Sequence, residues 1–173
     1  MPETFREATF DDANLIATVR VRTWQAAYRG IFPQSHLDAM NIEAQTERTG
    51  NWLRNPERRG SDWVLLNDNE AVGWSVTLLR SRDDDLPADT GEIPAIYVLP
   101  AYWGQGYGHR LMAHTLDALR TLGAHSVALW VLEDNLRARA FYVREGFAPD
   151  GKRKPETIVP NTNLFGLRYR RTL

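Results

Sequence analysis

A glycine-rich segment lies between a predicted strand and a predicted helix in the second half of the chain. Residues 95–112 read AIYVLPAYWGQGYGHRLM, with glycines at the alternate positions 104, 106 and 108. Glycine loses more conformational entropy on folding than any other residue, so this spacing indicates a place that needs bare backbone. The run that follows, to residue 122, repeats apolar residues at helical spacing. The segment therefore predicts a strand, a loop and a helix over 108–122.

The elements after this helix extend the pattern. SVALWVL, residues 126–132, is typical of a buried strand, and residues 136–145 are predicted to be helical, ending at Gly146. Two strands joined through a helix are typical of a parallel pair. The second half is therefore predicted to contain one βαβ unit with a further helix behind it.

The first half has a different order of elements. A short strand at 4–10 and a helix over 11–30 precede a second helical stretch near 43–54. Two strands then meet at the turn Asp68-Asn69, and GEIPAIYVLP provides a third strand, so this region predicts an antiparallel meander. NLFGLRYRRT alternates as a terminal strand. The fold class expected is α/β (α+β mixed), with a mixed, mostly antiparallel central sheet and helices on both faces.

Composition limits the classes of function. The chain has 173 residues and a formal net charge of -1, so one domain spanning 1–173 is expected, with no nucleic-acid or membrane partner. Cysteine is absent, which excludes disulfides and thiolate chemistry. His109 and His114 lack metal-ligand spacing, so no metal is expected. The N-terminal residues lack an apolar signal-like region, and a cytoplasmic location is expected.

A glycine-rich loop before a helix is typical of a phosphate site, because free N–H groups and the helix dipole both favour an anion. A plain structural turn is the alternative. A P-loop is excluded because no Gly-Lys-Ser/Thr sequence follows. A dinucleotide fingerprint would need its third glycine at position 109, which is His109.

Two motifs resemble those of the GNAT superfamily of N-acetyltransferases. YVLPAYWGQGYGHRLM resembles the family's acetyl-CoA pyrophosphate loop, and DNLRARAFYVREGF resembles its later signature of Asn, Ala, Tyr and Gly-Phe. The resemblance spans essentially the whole chain and implies a GNAT-like fold with acetyl-CoA as cosubstrate. It implies cofactor contacts from Ile96, Tyr97, Val98, Trp103, Gly104, Gln105, Gly106, Tyr107, Gly108, Asn135, Ala138 and Tyr142. The family loop usually opens with Arg or Gln, where this chain has Trp103.

The resemblance also implies catalytic roles. Acetyl transfer to an amine needs a base, a donor to the oxyanion and a proton for the leaving thiolate. Tyr142 matches the family's acid, the backbone N–H of Val98 its oxyanion donor, and Glu92 is the candidate base. The alternatives are that Tyr142 only packs against Phe141 and that Glu92 is an exposed charge at a strand end.

The acceptor is expected to be a small-molecule amine or a peptide amine. By resemblance, Trp24, Tyr28 and Phe32 could line its pocket, although aromatic residues at helical spacing are more often core. The acidic loop RDDDLPADT, residues 82–90, could attract a cation or could simply be solvated. A non-catalytic acyl-CoA binding or sensing module is the alternative function. An exposed terminal strand could pair with a second copy as a homodimer.

Overall fold

The computed structural model describes residues 3–173. Its strands are β1 (Glu3–Glu7), β2 (Ser61–Asn67), β3 (Glu70–Leu78), β4 (Thr90–Val98), β5 (Ser126–Leu132), β6 (Ala148–Pro155) and β7 (Phe165–Thr172). Its helices are α1 (Ala13–Ala27), α2 (Gln34–Asp38), α3 (Ile42–Arg54), α4 (Tyr107–Thr121) and α5 (Leu136–Arg144). Short 3-10 turns precede α1 and follow β4. Sequence patterns indicated most of these elements but not α2 or β6.

The seven strands form one sheet in the order β1-β2-β3-β4-β5-β7-β6. Strands β1 to β4 are an antiparallel meander, as predicted. The turn between β2 and β3 uses Asp68 and Asn69 with φ of 53° and 65°, the left-handed conformation that a two-residue hairpin loop requires.

Strands β4 and β5 pair in parallel over only three positions, from Thr90 with Ser126 to Glu92 with Ala128. Beyond these positions the two strands do not pair, although β4 continues to Val98 and β5 to Leu132. A cleft therefore opens in the sheet between their carboxyl ends.

Helices cover both faces of the sheet. Val64 of β2 packs with Ile16 and Val19 of α1, whereas its neighbour Leu65 packs with Leu111 of α4. Because successive side chains of a strand point to opposite faces, α1 and α4 lie on opposite sides. The predicted mixed, mostly antiparallel sheet with helices on both faces is confirmed.

The expectation of an exposed terminal strand was wrong. The last strand, β7, lies between β5 and β6 and pairs antiparallel with both. Strand β6 takes the edge, and all of its residues are exposed. Its lack of any apolar period explains why the sequence did not reveal it.

None of the helices in residues 3–173 has the length and apolar character needed to cross a membrane.

Candidate functional site

Two cavities flank the cleft between β4 and β5. The first, which we call the loop cavity, measures about 350 Å³ and lies against the glycine loop. The second, the aromatic cavity, measures about 330 Å³ and lies toward α1 and the β6–β7 connection. Both are lined by Tyr28, Ile96, Tyr97, Asn135, Ala138 and Tyr142. A molecule in one cavity would therefore lie next to a molecule in the other.

The glycine loop carries two residues in the left-handed conformation. Gly104 has φ of 75°, and Gly106, the N-cap of α4, has φ of 84°. A side chain at either position would be strained. At Gly108 glycine is favoured for a different reason. A Cβ there would lie 3.3 Å from the ring of Phe141, so the absence of a side chain permits α4 and α5 to approach closely.

The N-terminus of α4 is suited to an anion. Within this first turn, the N–H of Arg110 is bonded to the carbonyl of Gly106 at 3.2 Å. The preceding helical amides have no partner inside the helix, as at any helix start, and the dipole adds positive potential there. Gly104, Gly106, Gly108 and His109 line the loop cavity beside this turn. Gln105 and Tyr107, both expected at the cofactor site, do not line it.

Trp103 is fixed by the strand before it. Its indole Nε1–H donates to the carbonyl of Val98 at 2.7 Å. The guanidinium carbon of Arg137 lies 3.5 Å from the centre of the Trp103 ring, and both residues line the loop cavity. Sequence reasoning missed Arg137, whose only signal was its position between the motif residues Asn135 and Ala138.

Asn135 and Tyr142 are placed by helix α5. The Asn135 side chain caps the helix by accepting from the N–H of Ala138 at 3.1 Å. Tyr142 lies two turns further on, half-buried, and its ring packs 5.4 Å from that of Phe141. It thus both packs and lines the two cavities, so the two interpretations of this residue are compatible.

Burial controls the ionisation of the phenols at the cavity junction. It raises the pKa of Tyr142 well above the ordinary value, with a smaller contribution from neighbouring Tyr97. Burial likewise raises the pKa of Tyr28, with further contributions from Tyr97 and Tyr142. Both phenols therefore keep their protons at neutral pH and can donate hydrogen bonds or a proton.

Glu92 is not brought to either cavity. Only 2% of this residue is exposed, so it is not the exposed strand-end charge considered above. Its Oε2 accepts from the backbone N–H of Arg82 at 2.8 Å and from the hydroxyl of Ser81 at 3.2 Å. Its Oε1 accepts from the Arg82 guanidinium, with Nε at 3.1 Å. These contacts favour a structural role, and its assignment as base stays a prediction.

The aromatic cavity is built from α1 and the chain that follows it. The rings of Trp24 and Phe32 stack at 5.6 Å, and that of Tyr28 lies 4.9 Å from each. Trp24 and Phe32 are buried and all three line the cavity, so they are core and cavity wall at once. The buried indole Nε1–H of Trp24 has no hydrogen-bond partner among residues 3–173.

One carboxylate missed by the sequence analysis reaches the aromatic cavity. Glu156, in the connection after β6, is the one acidic side chain within the described chain that lines it. It is half-buried, accepts from the N–H of Ile158, and is close enough to Tyr28 to raise the pKa of that phenol. No pattern in the sequence marked this residue.

The acidic loop is only partly solvated, since Asp84 and Asp89 are exposed whereas Asp83 and Asp85 are paired within the protein. The Arg168 guanidinium, in a residue only 4% exposed, binds Asp83 at 3.3 Å and Asp85 at 2.7 Å. Asp83 also accepts from the indole N–H of Trp130 at 2.9 Å. These bonds neutralise two of the aspartates and hold the loop against β5 and β7.

No group of three or more His, Asp and Glu side chains in residues 3–173 is arranged to hold a metal ion.

Comparison with known proteins gives a consistent family. Residues 16–147 match the model of the Acetyltransferase (GNAT) family. An uncharacterized N-acetyltransferase of Mycobacterium bovis is 30% identical over 143 residues, which cover 82% of this chain and 86% of that protein. A mycothiol acetyltransferase of Beutenbergia cavernae is 34% identical over 111 residues, which cover 64% of this chain but 35% of that protein.

Solved structures share the fold at low identity. The crystal structure of PaiA N-acetyltransferase from Thermoplasma acidophilum, in complex with coenzyme A, matches 100% of both chains with a TM-score of 0.79 at 16% identity. The ribosomal-protein-S18-alanine N-acetyltransferase of Escherichia coli matches 99% of this chain and 94% of its own, with a TM-score of 0.67 at 19% identity. These matches establish the arrangement of strands and helices.

Proposed function

Because the chain belongs to the GNAT family of acetyltransferases, we propose that it moves the acetyl group of acetyl-CoA to a primary amine bound in the aromatic cavity. The observation that carries this proposal is the position of Tyr142, which lines both cavities where they meet. A proton donor at the junction suits a direct transfer between two bound molecules, without a covalent enzyme intermediate.

The loop cavity fits the cosubstrate. The α4 N-terminus and the backbone of Gly104 and Gly106 offer N–H donors suited to a diphosphate. The apolar and amide side chains of Ile96, Ala138 and Asn135 continue the cavity toward Tyr142. With its diphosphate at the N-terminus of α4, acetyl-CoA would place its thioester beside Tyr142, where the two cavities meet.

Direct transfer needs a proton delivered to the leaving thiolate of the cosubstrate and a proton removed from the ammonium form of the acceptor. The neutral amine attacks the thioester carbonyl carbon, and the C–S bond breaks as the tetrahedral intermediate collapses. Tyr142 gives its proton to the departing thiolate sulfur, and the proton that the attacking nitrogen loses as it becomes an amide restores the phenol. The Val98 N–H is proposed to donate to the oxyanion. The raised pKa of Tyr142 keeps that proton in place until the thiolate forms.

The ammonium form of the acceptor must also lose a proton. Glu156 lines the cavity assigned to the acceptor, whereas Glu92 does not line it and has its carboxylate bound by Arg82, which does. We infer that Glu156 binds the ammonium group and accepts its proton, directly or through a water. Glu92 is the second candidate for the base. The two candidates are distinguished by how Glu92→Gln and Glu156→Gln change stability and kcat.

The aromatic cavity is the proposed binding site of the acceptor. Its volume of about 330 Å³ and its aromatic walls suit a small amine or the end of a peptide. The relatives' names, a mycothiol acetyltransferase and a ribosomal-protein-alanine N-acetyltransferase, point to different acceptors. A panel of free amines and peptides therefore has to be assayed.

Calorimetric titration with acetyl-CoA, followed by CoA-release assays on that panel, tests the proposal. The binding variant is Gly104→Glu, and its matched control is Gly151→Glu. Both glycines have positive φ, of 75° and 88°, and both have open space for a Cβ, but only Gly104 lines the loop cavity. We expect Gly104→Glu to abolish binding and Gly151→Glu to retain it.

Absence of acetyl-CoA binding by the wild-type chain would overturn the proposal. Tight binding without turnover on any amine, together with a silent Tyr142→Phe substitution, would instead identify a non-catalytic acyl-CoA binding module.

A further inference from the structure

We infer that Arg137, held in place by the ring of Trp103, is the cation that binds the diphosphate of the cosubstrate in this chain. This inference rests on the proposed function and adds to it a binding residue and the residue that positions it. Arg137 lies on the first turn of α5 and lines the loop cavity together with Gly106 and Gly108 at the N-terminus of α4.

Arg137 has no carboxylate partner. Among residues 3–173, no Asp or Glu oxygen lies within 4 Å of its guanidinium, and burial alone lowers its pKa. The next arginine of the helix, Arg139, is occupied, since it donates to the hydroxyl of Tyr169 at 3.1 Å and to the carbonyl of Glu133 at 2.9 Å. A cation left without an anion at the edge of a cavity is available to an anionic ligand.

The Trp103 ring restricts where this cation can lie. The ring is anchored through its Nε1–H bond to Val98, and the Arg137 guanidinium lies 3.5 Å from its centre. An aromatic face attracts a guanidinium and leaves its N–H groups free at the edges. Stacking thus orders a long side chain before the ligand arrives, which reduces the entropy lost on binding.

The position of Arg137 selects the diphosphate among the anionic groups of the ligand. The ring that orders Arg137 belongs to the residue directly before Gly104, and Gly104 and Gly106 line the same cavity. Backbone N–H groups and a guanidinium that line the same cavity can together neutralise a group with two negative charges. The 3′-phosphate at the adenosine end would be contacted elsewhere.

The test compares dissociation constants for acetyl-CoA and for acetyl-dephospho-CoA, which keeps the diphosphate and lacks the 3′-phosphate. Arg137→Gln is expected to weaken both about tenfold, the effect of losing one charged hydrogen bond. Arg137→Lys keeps the charge but lacks the planar guanidinium, so its dissociation constants are expected to lie between those of Arg137→Gln and wild type. Arg48→Gln, an equal charge change on the exposed face of α3, is the control and is expected to bind as wild type does.

A double-mutant cycle tests the role of Trp103. Trp103→Leu removes the stacking surface and is expected to weaken binding in the wild-type background but to add little in the Arg137→Gln background. Circular dichroism establishes that each variant is folded. The inference is overturned if Arg137→Gln binds both ligands like wild type, or if it weakens acetyl-CoA alone, which would place Arg137 at the 3′-phosphate. Failure of wild type to bind either ligand would overturn the proposed function itself.

Discussion

Arg82 holds Glu92 through both its backbone and its side chain. The Arg82 N–H donates to Glu92 Oε2 at 2.8 Å while its Nε donates to Oε1 at 3.1 Å, and the carboxylate is buried beneath an arginine side chain that is 66% exposed. This bond pattern joins the start of β4 to the loop that precedes it.

Glu92→Gln is therefore expected to affect stability more than chemistry. Replacing the carboxylate weakens charged hydrogen bonds and should lower the free energy of unfolding by about 1–3 kcal/mol, measured by chemical denaturation. Glu156→Gln should leave stability within about 0.5 kcal/mol of wild type but reduce kcat about 100-fold, because the acceptor amine loses its base. An inactive Glu92→Gln protein of wild-type stability would instead identify Glu92 as the base.

Tyr142→Phe should reduce kcat by about 100-fold or more, with little change in the dissociation constant of acetyl-CoA. The hydroxyl is lost while the ring packing against Phe141 is kept. Because burial raises the pKa of Tyr142, the phenol stays protonated through pH 9, and the wild-type rate should not fall in the range of an ordinary tyrosine. Turnover assays from pH 6 to 11 test this, and a loss of activity near pH 10 that is traced to Tyr142 would contradict it.

Trp24→Phe should change the free energy of unfolding by less than about 1 kcal/mol, because the lost ring area is offset by removal of an unpaired buried donor. Trp74→Phe is the matched comparison, since its indole N–H donates to the fully buried carboxylate of Asp62 at 2.9 Å. The free energy of unfolding of Trp74→Phe, measured by urea denaturation, should fall by about 2–3 kcal/mol more than that of Trp24→Phe. Equal losses would mean that the Trp24 N–H is paired in solution.

Asp85→Asn should lower the melting temperature at pH 7 but not at low pH. Hydrogen bonds from Arg168, and then from Lys152, lower the pKa of Asp85 from its usual value of 3.8. A carboxylate with a lowered folded pKa contributes stability that is complete above the unfolded pKa and is lost as pH falls through the folded pKa. The difference between wild type and variant should therefore shrink below about pH 4. Asp84→Asn, on the same loop in an exposed position, should show no such difference at any pH.

Local patterns indicated most of the fold. Alternation predicted β2, β3 and their Asp68-Asn69 turn, and helical spacing predicted α4 to within a residue or two. Strand β6 and helix α2 were missed because one exposes every residue and the other is a single turn. The place of β7 between β5 and β6 was also missed, since strand order within a sheet is not a local property.

Some residues of the candidate site were likewise predicted from local motifs, and others were revealed only by the fold. The two motifs located Gly104, Gly106, Gly108, Asn135 and Tyr142, all of which line the loop cavity. Arg137 was within the second motif but could not be singled out, because its importance depends on Trp103, far from it in sequence. Glu156 belongs to a connection without any motif, and only the fold brings it to Tyr28.

The sequence by itself determined the order of the elements, the bare backbone at Gly104 and Gly106, and the helix that carries Tyr142, since backbone strain and amphipathic spacing depend on near neighbours. Only the tertiary structure decided which charges remain available. Asp83 and Asp85 are neutralised by Arg168 across more than eighty residues, Glu92 is held by Arg82, and Arg137 and Glu156 face the cavities. The physical reason is that a charge acts through what lies within a few ångströms of it, and distant parts of the chain provide those neighbours.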